Sequence, residues 1–343
     1  MININYNLRI HTAYDINESV KWNKGVVIKM SLEFSIAIPI YNEEENIHEL
    51  YRRLTSVMEL ICTEWNIKKD GYEILIVDDG STDNSWQTIK ELHDKDPRLK
   101  GIRFSRNFGH HSAILAGLDY VQGNHIILMD GDLQDQPEEI PKLLSKTKEG
   151  YDIVQGIALK RHSNPIQNLI SKVFQKLFFK ISNVDPKTRV GLFRCLSKPV
   201  VDSIKQFPER SVFFGGILSL VGFNTTHVPV DRSPRHAGKS KYNFLRRSIL
   251  ALNAITSFSE RPLVYIFKLG FIVFIFSISM FTYAFIRKII YDIAIVGWTS
   301  LFAAIFFSTG LITISISVVG LYISKVFIEI KQRPRYIVRE KIE

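Results

Sequence analysis

Two carboxylates stand two residues apart at the end of an apolar run, in Asp130-Gly131-Asp132 directly after His125–Met129. At this spacing both can hold one divalent cation, or one can hold it while the other orders a water molecule. A cation held in this way neutralises a diphosphate as it leaves. A solvated turn is the alternative. The position at a strand end favours a metal site of Asp130 and Asp132, to which Gln134 could add a neutral oxygen.

A second acidic pair, Asp78 and Asp79, follows the apolar run Tyr72–Val77. Its oxygens could accept hydrogen bonds from a base N–H or from ribose hydroxyls. The alternative is N-capping of the next helix, which Ser81 or Asp83 could do instead. Two acids exceed what one cap requires, so we predict that the pair binds a nucleotide.

A third cluster is cationic and runs from Arg235 to Lys241 as RHAGKSK. An arginine fork and lysine point charges on a glycine-hinged loop can clamp a phosphate. A Walker phosphate loop is excluded because Ser233 stands where that pattern needs glycine. Attraction to anionic lipid headgroups is a second reading of the same loop, and the two are compatible.

Two adjacent histidines, His110 and His111, could suggest a metal site. Neighbouring side chains point apart on a helix, however. We therefore interpret this pair as the polar start of a helix.

Short apolar runs alternate with segments of helical spacing through the first half of the chain, which predicts a parallel α/β sheet with both faces covered. Asn42 and Glu43 follow the first strand, Asp78 and Asp79 the second, and Asp130 and Asp132 the fourth. Such sheets bind ligands at these strand ends. We predict strands at Phe34–Ile40, Tyr72–Val77, Gly101–Ser105, His125–Met129 and Tyr151–Gln155, and helices at Glu43–Leu60, from Thr82, at His111–Val121 and at Pro137–Lys148.

The net charge is +10, from 44 Lys and Arg against 34 Asp and Glu. This balance suits an anionic partner, and the apolar segments described next favour a phosphorylated substrate or a membrane surface over nucleic acid. Cys62 and Cys195 lack metal-ligand spacing and indicate no disulfide framework. Residues 1–30 lack the apolar core of a signal peptide, and we expect a poorly ordered extension.

Two uncharged stretches, Leu269–Ile286 and Ile293–Ser324, are each long enough to cross a bilayer. A buried hairpin in a soluble protein is the alternative. Residues 241–260 have an amphipathic pattern typical of a helix at the membrane interface or packed on the core. Basic residues from Lys325 onward outnumber those between the two stretches. This bias predicts an inner-membrane protein whose tail and catalytic domain lie on the cytoplasmic side.

Taken together, these residues resemble family 2 glycosyltransferases of the GT-A fold. The resemblance is to the polyprenyl-phosphate branch: bactoprenol glucosyltransferases of the GtrB type, dolichol-phosphate mannose synthases and the undecaprenyl-phosphate aminoarabinose transferase. The motifs that carry it are Pro39-Ile-Tyr-Asn-Glu43, Val77-Asp-Asp-Gly-Ser81, Ser105-Arg-Asn-Phe-Gly109, Met129-Asp-Gly-Asp-Leu-Gln-Asp135, Gly238-Lys-Ser-Lys-Tyr242, Thr256-Ser-Phe-Ser259 and Arg333-Pro-Arg-Tyr336.

The resemblance implies a role for each matching position. Pro39, Tyr41, Glu43 and Asp79 would line the nucleotide pocket, and Asp130, Asp132 and Gln134 would bind Mg²⁺ or Mn²⁺ and the diphosphate. Arg235, Lys241 and, more loosely, Arg161 would hold phosphate. It divides the chain into a GT-A domain at 31–240, an interface helix at 241–260, two membrane helices within 263–324 and a basic tail at 325–343.

Two positions depart from the pattern of the bactoprenol enzymes. Gly191-Leu192-Phe193-Arg194 has leucine where they usually carry an acid, and Phe213-Phe214-Gly215-Gly216 lacks an arginine that often precedes the final glycine. These departures bear on the identity of the sugar and leave the metal motif intact.

The expected activity is inverting transfer of a sugar from a nucleotide diphosphate donor to a polyprenyl phosphate, with glucose from UDP-glucose as the expected donor. The expected partners are the nucleotide sugar, the lipid phosphate and the bilayer, and nucleic acid is not expected. The sequence does not decide between a monomer and a homo-oligomer. One alternative is a processive polysaccharide synthase, but none of the four tryptophans lies in its Gln-x-x-Arg-Trp motif. The other is a non-catalytic membrane scaffold or lipid-binding protein.

Overall fold

A mixed eight-stranded sheet forms the centre of the protein, in the order β7-β5-β6-β4-β1-β2-β3-β8. The computed structural model describes residues 32–158, 191–209, 214–233, 261–291 and 297–343. The strands are β1 (Phe34–Ile40), β2 (Tyr72–Asp78), β3 (Leu99–Phe104), β4 (His125–Leu128), β5 (Ile153–Ala158), β6 (Arg194–Ser197), β7 (Thr225–Val230) and β8 (Val338–Ile342).

Helices cover both faces of the sheet. They are α1 (Glu44–Glu64), α2 (Ser85–His93), α3 (His110–Tyr120), α4 (Ile140–Lys148, after a 3₁₀ turn at Pro137–Glu139), α5 (Lys198–Lys205), α6 (Phe214–Leu220), α7 (Arg261–Tyr291) and α8 (Trp298–Ile330). Alternate residues of β1 face opposite layers, because successive side chains of a strand point to opposite faces. Ile36 and Ile38 pack with α1, α2 and α4. Ala37 packs in the second core with α3, α5 and α6.

The predicted elements are confirmed with small shifts of their ends. β1 is found as predicted, β5 begins two residues later, and α1 extends four residues further. The sheet is largely parallel, as expected: β1 pairs in parallel with β2 and β4, and β5 with β7. Only β6 and β8 pair antiparallel to their neighbours among the described strands.

The C-terminal residues differ from the separate basic tail that the sequence suggested. Residues up to Ile330 belong to α8, and Val338–Ile342 returns to the sheet as β8 beside β3. We call residues 331–342 the C-terminal strap. Its strand carries three charged residues between Val338 and Ile342, and every second residue is exposed, so it suits a half-exposed sheet edge. The strap fastens the end of α8 to the domain.

Two helices, α7 and α8, are long and apolar enough to cross a membrane, over Arg261–Met280 and Phe307–Ile330. None of either window is buried inside the protein. Phe267 is 72% exposed and Ile316 66%. A continuous apolar surface of this kind is rare on a protein surrounded by water. It excludes the buried soluble hairpin and supports the prediction of two membrane helices, whereas the predicted interface helix at 241–260 lies outside the described residues.

A buried polar network joins β1, β2 and β3 at the end of the sheet opposite the acidic clusters. Glu73 accepts hydrogen bonds from Ser35 Oγ at 2.6 Å and from the backbone N–H of Gln122 at 2.8 Å. Its other oxygen lies 2.6 Å from Lys100 Nζ. The carboxylate therefore balances one cation and satisfies two further donors inside the fold.

Replacing Glu73 with alanine should lower the free energy of unfolding by about 3 kcal/mol, because it leaves the Lys100 ammonium and the other donors without their acceptor. Chemical unfolding of the detergent-solubilised protein measures this loss. Glu91→Ala, at an exposed position of α2, is the matched control and should change stability by less than about 0.5 kcal/mol. Equal stability of the two variants would contradict the role given to Glu73.

Candidate active site

The polar residues that follow β1, β2 and β4 meet at one edge of the sheet, whereas the cationic cluster lies outside the described residues. β1 lies between β4 and β2, so the carboxyl ends of these parallel strands are neighbours. The loop after β4 passes close over the end of β1: a Cβ built on Gly131 would lie 2.6 Å from Ile40 Cγ2. Only glycine leaves room for this approach. The predicted convergence of the clusters is therefore confirmed.

The acidic loop after β4 presents two carboxylates with different exposure. The Asp130 side chain is 27% exposed. Asp132 is 7% exposed, and its Oδ1 accepts the backbone N–H of Gln134 at 3.1 Å. Between them and Gln134, Leu133 is buried with a φ of 58°, a conformation that costs a leucine about 1–2 kcal/mol. The fold maintains this strain where the loop turns both carboxylates towards the rim.

A third carboxylate of the same loop, Asp135, is buried and stabilises the loop through an ion pair. It is 4% exposed, and its Oδ1 lies 3.0 Å from Arg232 Nε. Burial raises the pKa of Asp135 to about 7, against the opposing effect of Arg232. The backbone N–H of Ser233 donates to the carbonyl of Gln134 at 3.0 Å. The segment that follows β7 is thus bound to the acidic loop immediately before the cationic cluster begins.

The acidic pair after β2 accepts hydrogen bonds from backbone N–H groups, and Asp78 Oδ2 also lies 3.5 Å from Arg103 Nε. Asp78 is fully buried and accepts the N–H of Ser81 at 2.8 Å, and burial raises its pKa. Asp79 accepts the N–H of Phe108 at 2.7 Å and that of Gly109 at 2.9 Å. Burial raises the pKa of Asp79 to about 6. Both acids hold loops of the rim in place, and their contact with a nucleotide stays a prediction.

The predicted nucleotide residues on β1 lie at the same rim. Pro39 is buried within β1, and Tyr41 and Glu43 are half-buried just beyond its end. Glu43 accepts a hydrogen bond from Asn46 Nδ2 at 2.6 Å. Asn42, with a φ of 54°, ties this turn to the next strand end, since its N–H donates to Ser81 Oγ at 2.9 Å. The turn therefore has one fixed position relative to Asp78 and Asp79.

The sequence analysis missed His110, which the structure brings to the acidic loop. His110 is the first residue of α3, and its Nε2 lies 3.5 Å from Asp130 Oδ1. Burial lowers the pKa of His110, while Asp79 and Asp132 act in the opposite direction. Its side chain is nevertheless 41% exposed, so part of it is open to solvent. The signal available in the sequence was its position directly after Ser105-Arg-Asn-Phe-Gly109, at the end of a strand.

A second missed residue, Arg194, lies behind Asp130. It is the first residue of β6 and is 3% exposed. It pairs with Leu128, which precedes Asp130 by two residues. Its guanidinium donates to the carbonyl of Gly191 and lies 5.4 Å from the ring of Phe214. Burial lowers the pKa of Arg194 to about 10, and the charge of Asp130 opposes that shift. At neutral pH this buried guanidinium is charged, and it interacts with the charge of Asp130.

Three predicted residues, Arg161, Arg235 and Lys241, lie outside the described residues. Among the residues that are described, no three His, Cys, Asp or Glu side chains converge closely enough to hold a metal ion by themselves. Mg²⁺ and ions like it commonly bind through one or two carboxylates and take their remaining ligands from water and substrate phosphates. The partly exposed Asp130 beside Asp132 fits a cation of that kind.

Comparison with known proteins finds similar sequences over most of the chain. The family model described as "Glycosyl transferase family 2" matches residues 35–199. An uncharacterized glycosyltransferase of Bacillus subtilis is 38% identical over 313 residues, 90% of this chain and 94% of that protein. The prophage bactoprenol glucosyl transferase homolog of Escherichia coli K12 is 38% identical, covering 90% of this chain and 99% of the relative. The undecaprenyl-phosphate 4-deoxy-4-formamido-L-arabinose transferase of Salmonella choleraesuis is 32% identical, covering 90% and 93%.

Proposed function

Because this chain belongs to glycosyltransferase family 2, we propose that it transfers a sugar from a nucleotide diphosphate donor to a polyprenyl phosphate. Its mixed sheet with helices on both faces is the GT-A fold of such enzymes. Relatives that align with this chain over nearly all of their own length are named as bactoprenol and undecaprenyl-phosphate sugar transferases. Glucose from UDP-glucose is the donor that we propose, on the names of the bactoprenol relatives.

The observation that carries the proposal is the position of the acidic loop relative to the apolar helices. The strap leaves α8 at Ile330, and the carbonyl of Ile337 accepts the N–H of Ser105 at 2.9 Å. Ser105 follows the carboxyl end of β3, on the same edge of the sheet as Asp130. Six residues thus separate the end of a membrane helix from the edge that carries the site. An acceptor phosphate anchored in the bilayer by its polyprenyl chain would meet the site there.

The chemistry requires little from a general base. A lipid phosphate has its second ionisation near 6, so at neutral pH its oxygen is already largely anionic. That oxygen attacks the anomeric carbon, the bond from this carbon to the diphosphate breaks, and its electron pair leaves with the nucleoside diphosphate. Inversion follows from attack on the face opposite the leaving group. No proton has to be removed from the acceptor, so the absence of an assigned base is consistent with the reaction.

The main obstacle is the approach of two anionic substrates, and the chain has two means to offset their repulsion. Asp130 and Asp132, with Gln134 nearby, would hold a divalent cation, which when bound neutralises charge on the departing diphosphate. Arg235 and Lys241 would clamp phosphate from the other side, and Arg161 would add a third contact. Arg235 follows Ser233 by two residues, and Ser233 is hydrogen-bonded to the acidic loop. Holding the reacting atoms in line supplies the rest of the acceleration.

A donor panel tests the proposal directly. Membranes containing the protein are incubated with radiolabelled undecaprenyl phosphate and each of a set of nucleotide sugars, and the lipid products are separated. We expect one labelled lipid phosphate sugar that requires the protein, with UDP-glucose as the best donor. Products of many lengths would instead indicate a processive synthase, and no product with any donor would favour a scaffold.

The proposed location of the catalytic domain, in the cytoplasm beside the inner membrane, needs its own test. Protease added to membrane vesicles should cleave the domain in inside-out vesicles, where the cytoplasmic face of the membrane is outward, and not in right-side-out vesicles. Cleavage in right-side-out vesicles alone would reverse the proposed orientation.

A further inference from the structure

His110 occupies a fixed position at the edge of the acidic loop. The two residues before it, Phe108 and Gly109, donate their backbone N–H groups to the buried Asp79 carboxylate at 2.7 and 2.9 Å. These bonds hold the start of α3 against the end of β2. The imidazole therefore reaches the rim from a segment of defined backbone geometry. Its Nε2 lies 3.5 Å from Oδ1 of the Asp130 carboxylate.

This separation is slightly longer than the one between two neighbouring ligands of a single cation. Six oxygen or nitrogen ligands at about 2.1 Å place neighbouring ligand atoms about 3 Å apart, so a cation fits between Nε2 and Oδ1 after a small movement. Asp132 is less well placed for direct contact, because its Oδ1 already accepts the N–H of Gln134 and the residue is buried. It can orient a metal-bound water instead.

On the premise of the proposed function, we propose that His110 Nε2 and Asp130 Oδ1 are the two protein atoms that contact the divalent cation of the donor site. Water and two phosphate oxygens of the nucleotide fill the other positions. Asp132 acts on the cation through water. The assignment places an imidazole nitrogen in a site for which the sequence had indicated only oxygen ligands, and it replaces the direct contacts of Asp132 and Gln134 that the sequence suggested.

An imidazole ligand changes which cation the site prefers. Mg²⁺ binds to oxygen ligands and keeps its waters, whereas a mixed nitrogen and oxygen site binds transition-metal ions such as Mn²⁺ more readily. The proposal therefore predicts that the protein with bound UDP holds Mn²⁺ more tightly than Mg²⁺. It also predicts that His110 is the source of that preference. A histidine that only begins a helix would have no effect on either quantity.

Pulsed electron paramagnetic resonance of Mn²⁺ tests the contact without any sugar transfer. The full-length protein in detergent is titrated with MnCl₂ in the presence of UDP, and ¹⁴N coupling from an imidazole is measured on the bound ion. We expect the coupling in the wild-type protein and its loss in His110→Ala and His110→Gln. The dissociation constant for Mn²⁺ should rise about tenfold or more in both variants, while that for Mg²⁺ changes by less than about threefold.

Two further variants calibrate the experiment. Asp130→Asn removes the other proposed ligand and should also weaken Mn²⁺ binding. His48→Ala removes an exposed imidazole from α1 and should leave both the coupling and the affinity unchanged. The glutamine variant preserves a polar side chain at position 110, so a folded protein remains available if the alanine variant is unstable.

The outcomes separate this inference from the proposed function. Mn²⁺ bound without ¹⁴N coupling in the wild-type protein would overturn the role of His110 even if sugar transfer occurs. Coupling that persists in both His110 variants would overturn it too, as would a failure to bind Mn²⁺. Loss of the coupling in both variants would support it, even if the donor panel yields no product and the proposed acceptor proves wrong.

Discussion

Replacing Asp130 with asparagine should lower the initial rate of sugar transfer by about a thousandfold while the protein remains folded. The amide has the size of the carboxylate but no charge to hold a divalent cation beside the donor diphosphate. The side chain is 27% exposed, so the substitution buries no new polar group. Initial rates with UDP-glucose and undecaprenyl phosphate measure the loss, and thermal melting in detergent monitors the fold.

Asp94→Asn is the matched control for this experiment. Asp94 is an exposed carboxylate at the end of α2 and has no place at the rim. Its variant should transfer sugar at the wild-type rate. A loss of less than about tenfold in Asp130→Asn, or an equal loss in Asp94→Asn, would remove Asp130 from the centre of the site. A fall in the melting temperature of Asp130→Asn alone would show that the carboxylate serves the fold instead.

The order of strands and helices could be predicted because the pattern is local. Phe34–Ile40 is a continuous apolar run, which indicates a strand covered on both faces, and both of its faces are buried. The polar residues after β1, β2 and β4 could then be placed at one edge from the direction of parallel strands alone. For the same reason the sequence alone predicts the position of the acidic loop at this edge.

The contacts of the rim depend on tertiary structure and could not be predicted in the same way. Asp79 was assigned to the nucleotide, yet its oxygens accept N–H groups from residues 29 and 30 positions further along the chain. His110 was dismissed because adjacent histidines diverge on a helix. That rule does not predict the tertiary contacts of either histidine, and His110 lies beside the Asp130 carboxylate, which follows another strand. Arg194 was considered only as part of a motif.

Strand β8 is the clearest example of a feature that local patterns conceal. Val-Arg-Glu-Lys-Ile is short, charged and separated from β3 by most of the chain, including both membrane helices. Trp86 Nε1 donates to Glu340 at 2.8 Å across a separation of 254 residues. The charges that made the segment look like a solvated tail are those that keep an edge strand from pairing with other chains.

The C-terminal strap supplies both stability and a connection to the site. Tyr336 stacks on Phe104 with ring centroids 5.0 Å apart, and its hydroxyl donates to Asp119 at 2.7 Å. The rings of Phe104 and Phe108 also pack together, with their centroids 5.7 Å apart. The N–H of Phe108 is one of the donors that Asp79 accepts. The anchor of α8 is therefore packed against the loop that holds His110 in place.

Ending the chain after Gln332 should lower the free energy of unfolding by on the order of 5 kcal/mol, which is comparable to the whole net stability of many domains. The loss combines a stacked aromatic ring, several backbone and side-chain hydrogen bonds and the packing of Ile342 over Gly101. It also leaves the edge of β3 open to other chains. Thermal melting in detergent and light scattering together measure the lost stability and the resulting aggregation.

Point variants of Tyr336 show whether the strap also serves the site. Tyr336→Phe removes one hydrogen bond and should cost about 1 kcal/mol, whereas Tyr336→Ala also removes the stacked ring and should cost about 3 kcal/mol. Because Phe104 and Phe108 then lose their support, the alanine variant should bind UDP more weakly even at temperatures where it is folded. The phenylalanine variant should bind UDP as the wild type does. If the alanine variant is destabilised but its UDP affinity is unchanged, the strap anchors the membrane helices without influencing the donor site.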